Sequence, residues 1–424
     1  MFSDKMNSQK NVYDVVIIGG GAAGIMAAIS TKINHPEKSV LIIDRTFALG
    51  RKILVSGAGR CNLTNINLKD YYQKHFYCDN PKLLDSVFKK FGYKELVKFY
   101  DDLGIETYIE TKTSIGKVFP ITDSAKNIVA ILEDEVERLG IDVKLNTEVT
   151  DIKKNNDIFK ITTAGDETLS ANKLIISVGG KTYPALGSDG SLYNILKRLG
   201  HTIIEPVPAA VPLVSKNRLS QLLQGVKLNL EVTSIIGGKK TKADINDVIF
   251  TQYGLSGSAI LNISRDISIY INRNKGNDAQ VLLNFFSGKN EQSAFEYMNN
   301  LWTKRPHQSI KRSLLGILPI KAIDGILEVL GINRGKKVSE FTKAQKFNLV
   351  NNLTNYTYEI SGTRGWNEAE FTAGGIDINE INNSTLESDI VKNLTFCGEI
   401  INCDGDIGGY NISWAFCSGY FAGI

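Results

Sequence analysis

Six residues that read as a buried parallel strand, Tyr13 to Ile18, run without a break into Gly19-Gly20-Gly21-Ala22-Ala23-Gly24. An apolar run, a glycine turn and then small residues constrain the chain to a βα unit whose helix opens at the turn. Gly19, Gly21 and Gly24 satisfy G-x-G-x-x-G. The first permits the tight turn, the second lets a pyrophosphate reach the backbone, and the third lets helix pack on strand. Ala22 and Ala23 begin a helix whose partly positive end faces those phosphates. A second apolar run, Val40 to Ile43, ends in Asp44, an acid placed to accept the hydroxyls of an adenosine ribose. A carboxylate there repels a 2'-phosphate and favours FAD or NAD over NADP.

The 424 residues, 42% apolar and 22% charged, suffice for two or three domains with substantial cores. A net charge of +4 is compatible with an RNA or phosphate-bearing partner but does not require one. No apolar run approaches the roughly 20 residues needed to span a bilayer. Met1 to Lys10 is polar and lacks a signal core, so a disordered lead-in and a cytoplasmic protein are expected. Cys61, Cys78, Cys397, Cys403 and Cys417 are scattered, without C-x-x-C or metal-ligand spacing, which predicts neither a disulfide framework nor a metal site.

Residues 1–205 alternate strand-like and helical patterns, as expected of a doubly wound or related α/β sheet. Helices are predicted around Pro81 to Leu103 and Ala125 to Leu139, and a strand meander follows to about Thr163. A buried strand from Lys173 then ends at Gly179-Gly180. Prolines at 206 and 208 mark a boundary. Residues 206–365 read as an insertion, with short β-like runs to about Phe286 and helices from Asn290. Strand-and-glycine patterns return in residues 366–424, the closing piece of the first domain.

Two loops carry the candidate chemistry. Gly50 to Asn65 sets Arg51, Lys52 and Arg60 among glycines, including Gly59, with Asn62 beyond. A plain surface loop has no need of those glycines beside Ile53, Leu54 and Val55, so backbone is expected to approach a ligand. Gly398-Glu399 follows a strand, and Gly408-Gly409-Tyr410-Asn411 opens the last helix. In a flavoprotein such an acid binds the ribityl or pyrophosphate region, and such a helix end faces the pyrimidine side of the flavin. A helix merely capped by Asn411 or Ser413 would leave Gly408-Gly409 unexplained. Arg45, Val149, Gly179 and Gly180 complete the expected cofactor contacts.

At these loops the sequence resembles the YhiN/BaiN family of FAD-dependent oxidoreductases. The matching segments are GRKILVSGAGRCNLTN from Gly50, GGKTYPALGSDG from Gly179, FTQYGLSGSAIL from Phe250, FTAGGIDINEINNSTLES from Phe371, and CGEIINCDGDIGGYNISWAFCSGYFAG from Cys397. Gln252 and Ser258 stand where the family usually carries histidine and proline. The resemblance implies an α/β, Rossmann-like, glutathione-reductase-type FAD-binding domain interrupted by a β-rich domain with a small helical subdomain. It implies FAD as cofactor and reduction at an unsaturated carbon, either of a uridine in large-subunit ribosomal RNA or of a steroid-like bile acid.

Saturating an alkene requires a hydride from the reduced flavin and a proton from a nearby acid. Cys61, Tyr183 and Tyr410 are the candidates. A thiol beside Arg60 is expected to have a lowered pKa, and an inert buried cysteine is the alternative. For Tyr183 the alternative is packing. No second G-x-G-x-x-G exists for a nicotinamide nucleotide, so NAD(P)H is expected as a transient electron donor. Lys239, Lys240, Lys242, Lys304, Arg305, Lys311, Arg312, Arg334, Lys336 and Lys337 could hold RNA phosphates if they share a face.

Overall fold

Runs of Val, Ile and Leu buried on both faces build the central sheet of the computed structural model, which describes residues 12–111 and 116–424. The expected disordered lead-in, Met1 to Lys10, lies outside the described residues. β1 (Tyr13–Ile18) leads through the glycine turn into α1 (Ala22–Asn34) and returns as β2 (Val40–Ile43), parallel to β1. α2 (Ala125–Arg138) precedes β3 (Asp142–Lys144), which extends the parallel sheet beyond β2. β4 (Val149–Asn155), β5 (Ile158–Thr163) and β6 (Thr168–Ile176) form an antiparallel meander.

β6 does two jobs along its length. Thr168 to Ala171 pair with β5, whereas Leu174 to Ile176 lie between β1 and β7 (Leu394–Phe396), parallel to both. The last element, α3 (Tyr410–Gly423), packs against α1 through small residues. A Cβ on Gly419 would lie 2.3 Å from the Ala23 carbonyl oxygen, and one on Gly423 2.5 Å from that of Ala27. Such backbone approach explains why the end of the chain is rich in glycine and alanine. It also fixes α3 beside the turn that opens α1.

The chain forms two compact units, one ending at Pro206 and resuming at Phe371, the other spanning Val207–Glu370. The second is built on an antiparallel sheet in which Lys227–Ile236 and Lys239–Thr251 form a long hairpin, turned by Gly237-Gly238. Ser258–Ser268 packs on that hairpin. Helices Glu291–Lys304, Ile310–Leu314, Ile320–Val329 and Lys343–Thr354 complete its core around Trp302. Among the described residues no helix is long and apolar enough to cross a membrane.

Candidate active site

The opening turn is held by contacts that tolerate no side chain at two of its glycines. Gly19 has φ +107°, and a Cβ there would lie 2.6 Å from the Ser177 carbonyl oxygen. On Gly24 it would lie 1.8 Å from the Gly19 carbonyl oxygen and 2.6 Å from Ser177 Oγ. Ser177 Oγ donates to the Gly19 carbonyl at 2.8 Å, tying the end of β6 to the turn. At Gly21 an added Cβ meets nothing within 4 Å. The turn is therefore packed shut at Gly19 and Gly24 and open at Gly21. α1 starts there with no side-chain cap and no acid in its first turn, so the amides around Ala22 and Ala23 offer donors to an anion. Asp44 accepts from the Gly20 amide at 2.6 Å and from the Thr46 amide and hydroxyl at 2.7 Å each, which aligns the end of β2 with the turn.

The Gly50 to Asn65 loop and Glu399 meet where β6 ends. Lys52 Nζ donates to the Glu399 carboxylate at 2.7 Å and also bonds Thr182. The Thr372 amide donates to the same carboxylate at 2.7 Å. Burial alone would raise the Glu399 carboxyl, but Lys52 and Thr372 hold it below the usual carboxylate value, so it stays ionised. Both Gly179 and Gly180 crowd this group, and a Cβ on Gly180 would lie 2.2 Å from Thr372 Oγ1. Ser188 Oγ, next to Gly179, is buried without a hydrogen-bond partner.

A second open helix end lies at the start of α3. Its N-cap Gly409 has φ +98° and no side-chain cap. Asn411 instead pins Gly405, accepting from its amide and donating to its carbonyl at 2.8 Å each, while Ser413 Oγ donates to the Gly409 carbonyl at 2.7 Å. Neither residue serves as the cap. A Cβ on Gly409 would press against the Thr64 carbonyl oxygen at 2.5 Å and Asn62 Oδ1 at 3.0 Å. That Asn62 oxygen is buried without a partner. Asn65 Nδ2 donates to the Gly408 carbonyl at 2.8 Å, joining the two loops.

Tyr410 is almost wholly buried, and its phenol is pushed up to about 12 by burial. Asn67 Nδ2 donates to its oxygen at 3.2 Å. The His75 ring stacks on it with centroids 4.3 Å apart and lies 3.2 Å from Asp406 through Nδ1. No local pattern in the sequence marks His75. It reaches this cluster because residues Phe76 and Tyr77 pair with Asp404 and Gly405.

Cys61 requires a correction. Its side chain is fully buried, and burial pushes the thiol up to about 12 instead of lowering it. The Arg60 guanidinium expected to activate it lies over the Phe119 ring, 4.1 Å from the centroid, and pairs with Glu110 at 3.2 Å. Arg51 stacks over Phe47 at 4.6 Å, and Arg45 is held by Asp189 at 2.6 Å. Gly59 has φ +83° and Tyr183 the left-handed φ of +56°, so both sit in sharply turned backbone. Val149 is buried at the start of β4.

Residues 13–424 match the HI0933-like protein Rossmann domain. The chain belongs to the HI0933-like family. It is an FAD-type oxidoreductase family, and FAD is its cofactor. The two uncapped helix ends, the opening at Gly21 and the unpartnered Asn62 and Ser188 oxygens fit a long polar cofactor. A 3-dehydro-bile acid delta(4,6)-reductase of Clostridium scindens is 32% identical over 96% of this chain and 97% of its own. Ribosomal RNA dihydrouridine synthases of Haemophilus influenzae and Escherichia coli are 30% and 31% identical, each covering 96% of both chains. Among solved structures, a 3-ketosteroid delta1-dehydrogenase from Sterolibacterium denitrificans shares the fold with a TM-score of 0.52 at 11% identity, covering 98% of this chain and 99% of its own.

Proposed function

We propose that this HI0933-like protein reduces a carbon–carbon double bond, that its substrate is a uridine of large-subunit ribosomal RNA, and that NAD(P)H is the electron donor. One observation carries the reading. Over 96% of its length the chain aligns with relatives whose names denote saturation of such a bond, two of them in ribosomal RNA. Bound and reduced, FAD supplies the hydride.

The remaining tasks fall to the chain. The α1 amides hold the pyrophosphate, Asp44 the ribose, and the uncapped end of α3 the side of the flavin where negative charge accumulates on reduction. Tyr410 supplies the proton. Asn67 occupies its oxygen as acceptor, leaving the O–H to donate. His75 positions the ring by stacking.

RNA phosphates are assigned to the exposed Lys239 and Lys240 beside the Gly237-Gly238 turn and to exposed Lys304 and Arg305. Lys311 and Arg334 are instead held by Asp324 and Glu328, at 2.8 Å and 3.0 Å, and Lys336 covers the Phe341 ring. Reduction of a small steroid-like enone is the second reading, favoured by the Clostridium scindens relative. Mapping dihydrouridine in ribosomal RNA from cells with and without the protein separates the two. A position modified only in its presence supports the RNA reading, and identical maps favour the small molecule.

A further inference from the structure

Cys78 and Cys403 are 325 positions apart in sequence, and the fold sets them face to face. Asp404 pairs with Tyr77 and Gly405 with Phe76 in antiparallel register, so one step further along Cys403 opposes Cys78. The Asp406 amide donates to the His75 carbonyl at 2.9 Å, making that pair a hydrogen-bonded one. Alternation along the ladder then gives Cys78 and Cys403 the closer, non-hydrogen-bonded position, where Cα atoms stand about 4.5 Å apart. That falls within the span a disulfide bridges, about 4.4 to 6.8 Å.

We propose that Cys78 and Cys403 form a reversible disulfide that clamps the strand before Cys78 to the segment leading into α3.

Their environment sets this pair apart. The Cys403 thiol hydrogen-bonds to Cys78, and this contact holds Cys78 below the ordinary thiol value. Cys78 is also partly exposed, which admits a small oxidant. Cys61, Cys397 and Cys417 are fully buried, and burial raises all three thiols. Hydrogen peroxide is the oxidant. The Cys78 thiolate attacks the O–O bond, forming an S–O bond and releasing water once the departing hydroxide is protonated. The Cys403 sulfur, giving up its proton, then displaces hydroxide from Cys78, and the S–S bond forms as a second water leaves. Two thiols lose two electrons in total, and one peroxide gains them. A small dithiol reverses the change by exchange.

The test treats the FAD-loaded full chain with hydrogen peroxide, then denatures it, alkylates the free thiols and maps the peptides by mass spectrometry. The five free cysteines should fall to three, with Cys78 and Cys403 in one linked pair, and dithiothreitol should restore all five. In Cys78→Ser the four remaining thiols should persist through the same treatment, whereas in Cys403→Ser Cys78, with no resolving thiol, should be lost to alkylation as its sulfenic or a higher acid and give no linked pair with Cys61, Cys397 or Cys417. Five alkylated thiols after peroxide, a linkage between other cysteines, or Cys78 carried to the sulfinic acid while Cys403 stays alkylatable would each overturn the proposal. The wild-type peptide map decides the question even if a variant fails to fold.

Discussion

Gly21→Ala separates cofactor binding from folding, because the structure gives that position no packing role. Gly21 has φ −80° and ψ −173°, which alanine adopts without strain, and the added Cβ meets no protein atom within 4 Å. The apoprotein should therefore be unharmed. Lower chain entropy in the unfolded state stabilises such a change by about 0.4 to 1 kcal/mol, a rise in Tm of about 1 to 4 °C for a unit of this size. The methyl group instead occupies the approach to the amides of α1. Losing even one charge-assisted hydrogen bond of about 1.5 to 3 kcal/mol weakens FAD roughly 10- to 150-fold, and Gly21→Val should abolish measurable binding. At Gly24 the same methyl would overlap the Gly19 carbonyl oxygen at 1.8 Å, so Gly24→Ala should lose about 3 kcal/mol or more of stability. Thermal unfolding of apoprotein and FAD titration by flavin fluorescence read the two effects independently. Wild-type FAD affinity in Gly21→Ala would refute the placement of the pyrophosphate, and a lowered apoprotein Tm would refute the open position.

Asp44→Ala should weaken FAD roughly 10- to 150-fold by removing its hydrogen bonds to ribose, measured by the same titration. Tyr410→Phe should leave flavin reduction normal and slow product formation by about 100-fold or more in single-turnover assays, whereas Cys61→Ala should retain product formation. Glu399 has a folded pKa below its ordinary value of 4.5, so its contribution to stability is present above about pH 4.5 and is lost as pH falls through the folded value. Lys52→Met should accordingly destabilise the protein by on the order of 1 to 3 kcal/mol at pH 7, and denaturant melts should show that difference shrinking in acid.

The α/β class and the FAD-type turn were legible because their determinants are local. Gly19, Gly21, Gly24 and Asp44 lie within one βα unit and its next strand, and the fold follows from their spacing. The long hairpin of the second unit reads from sequence as short β-like runs. Its far end, from Lys239 to Asp244, has Ala243 as its one apolar residue, and only pairing with Lys227–Ile236 extends it as strand. Side-chain direction was equally hidden. Arg60 and Cys61 are neighbours in sequence, yet one turns out to Glu110 and the other into the core. His75 with Asp406 and Lys52 with Glu399 are partnerships across more than 300 residues, so no spacing rule could have found them.

The most direct test of the proposed reaction incubates FAD-loaded protein with protein-free large-subunit ribosomal RNA and either NADH or NADPH, then digests the RNA and weighs its fragments. One fragment, or a small set, should be heavier by two hydrogens at a uridine, with no gain when protein or nicotinamide is omitted. RNA unchanged with either donor, while a steroid-like enone reoxidises the reduced flavin, would contradict the proposed reaction.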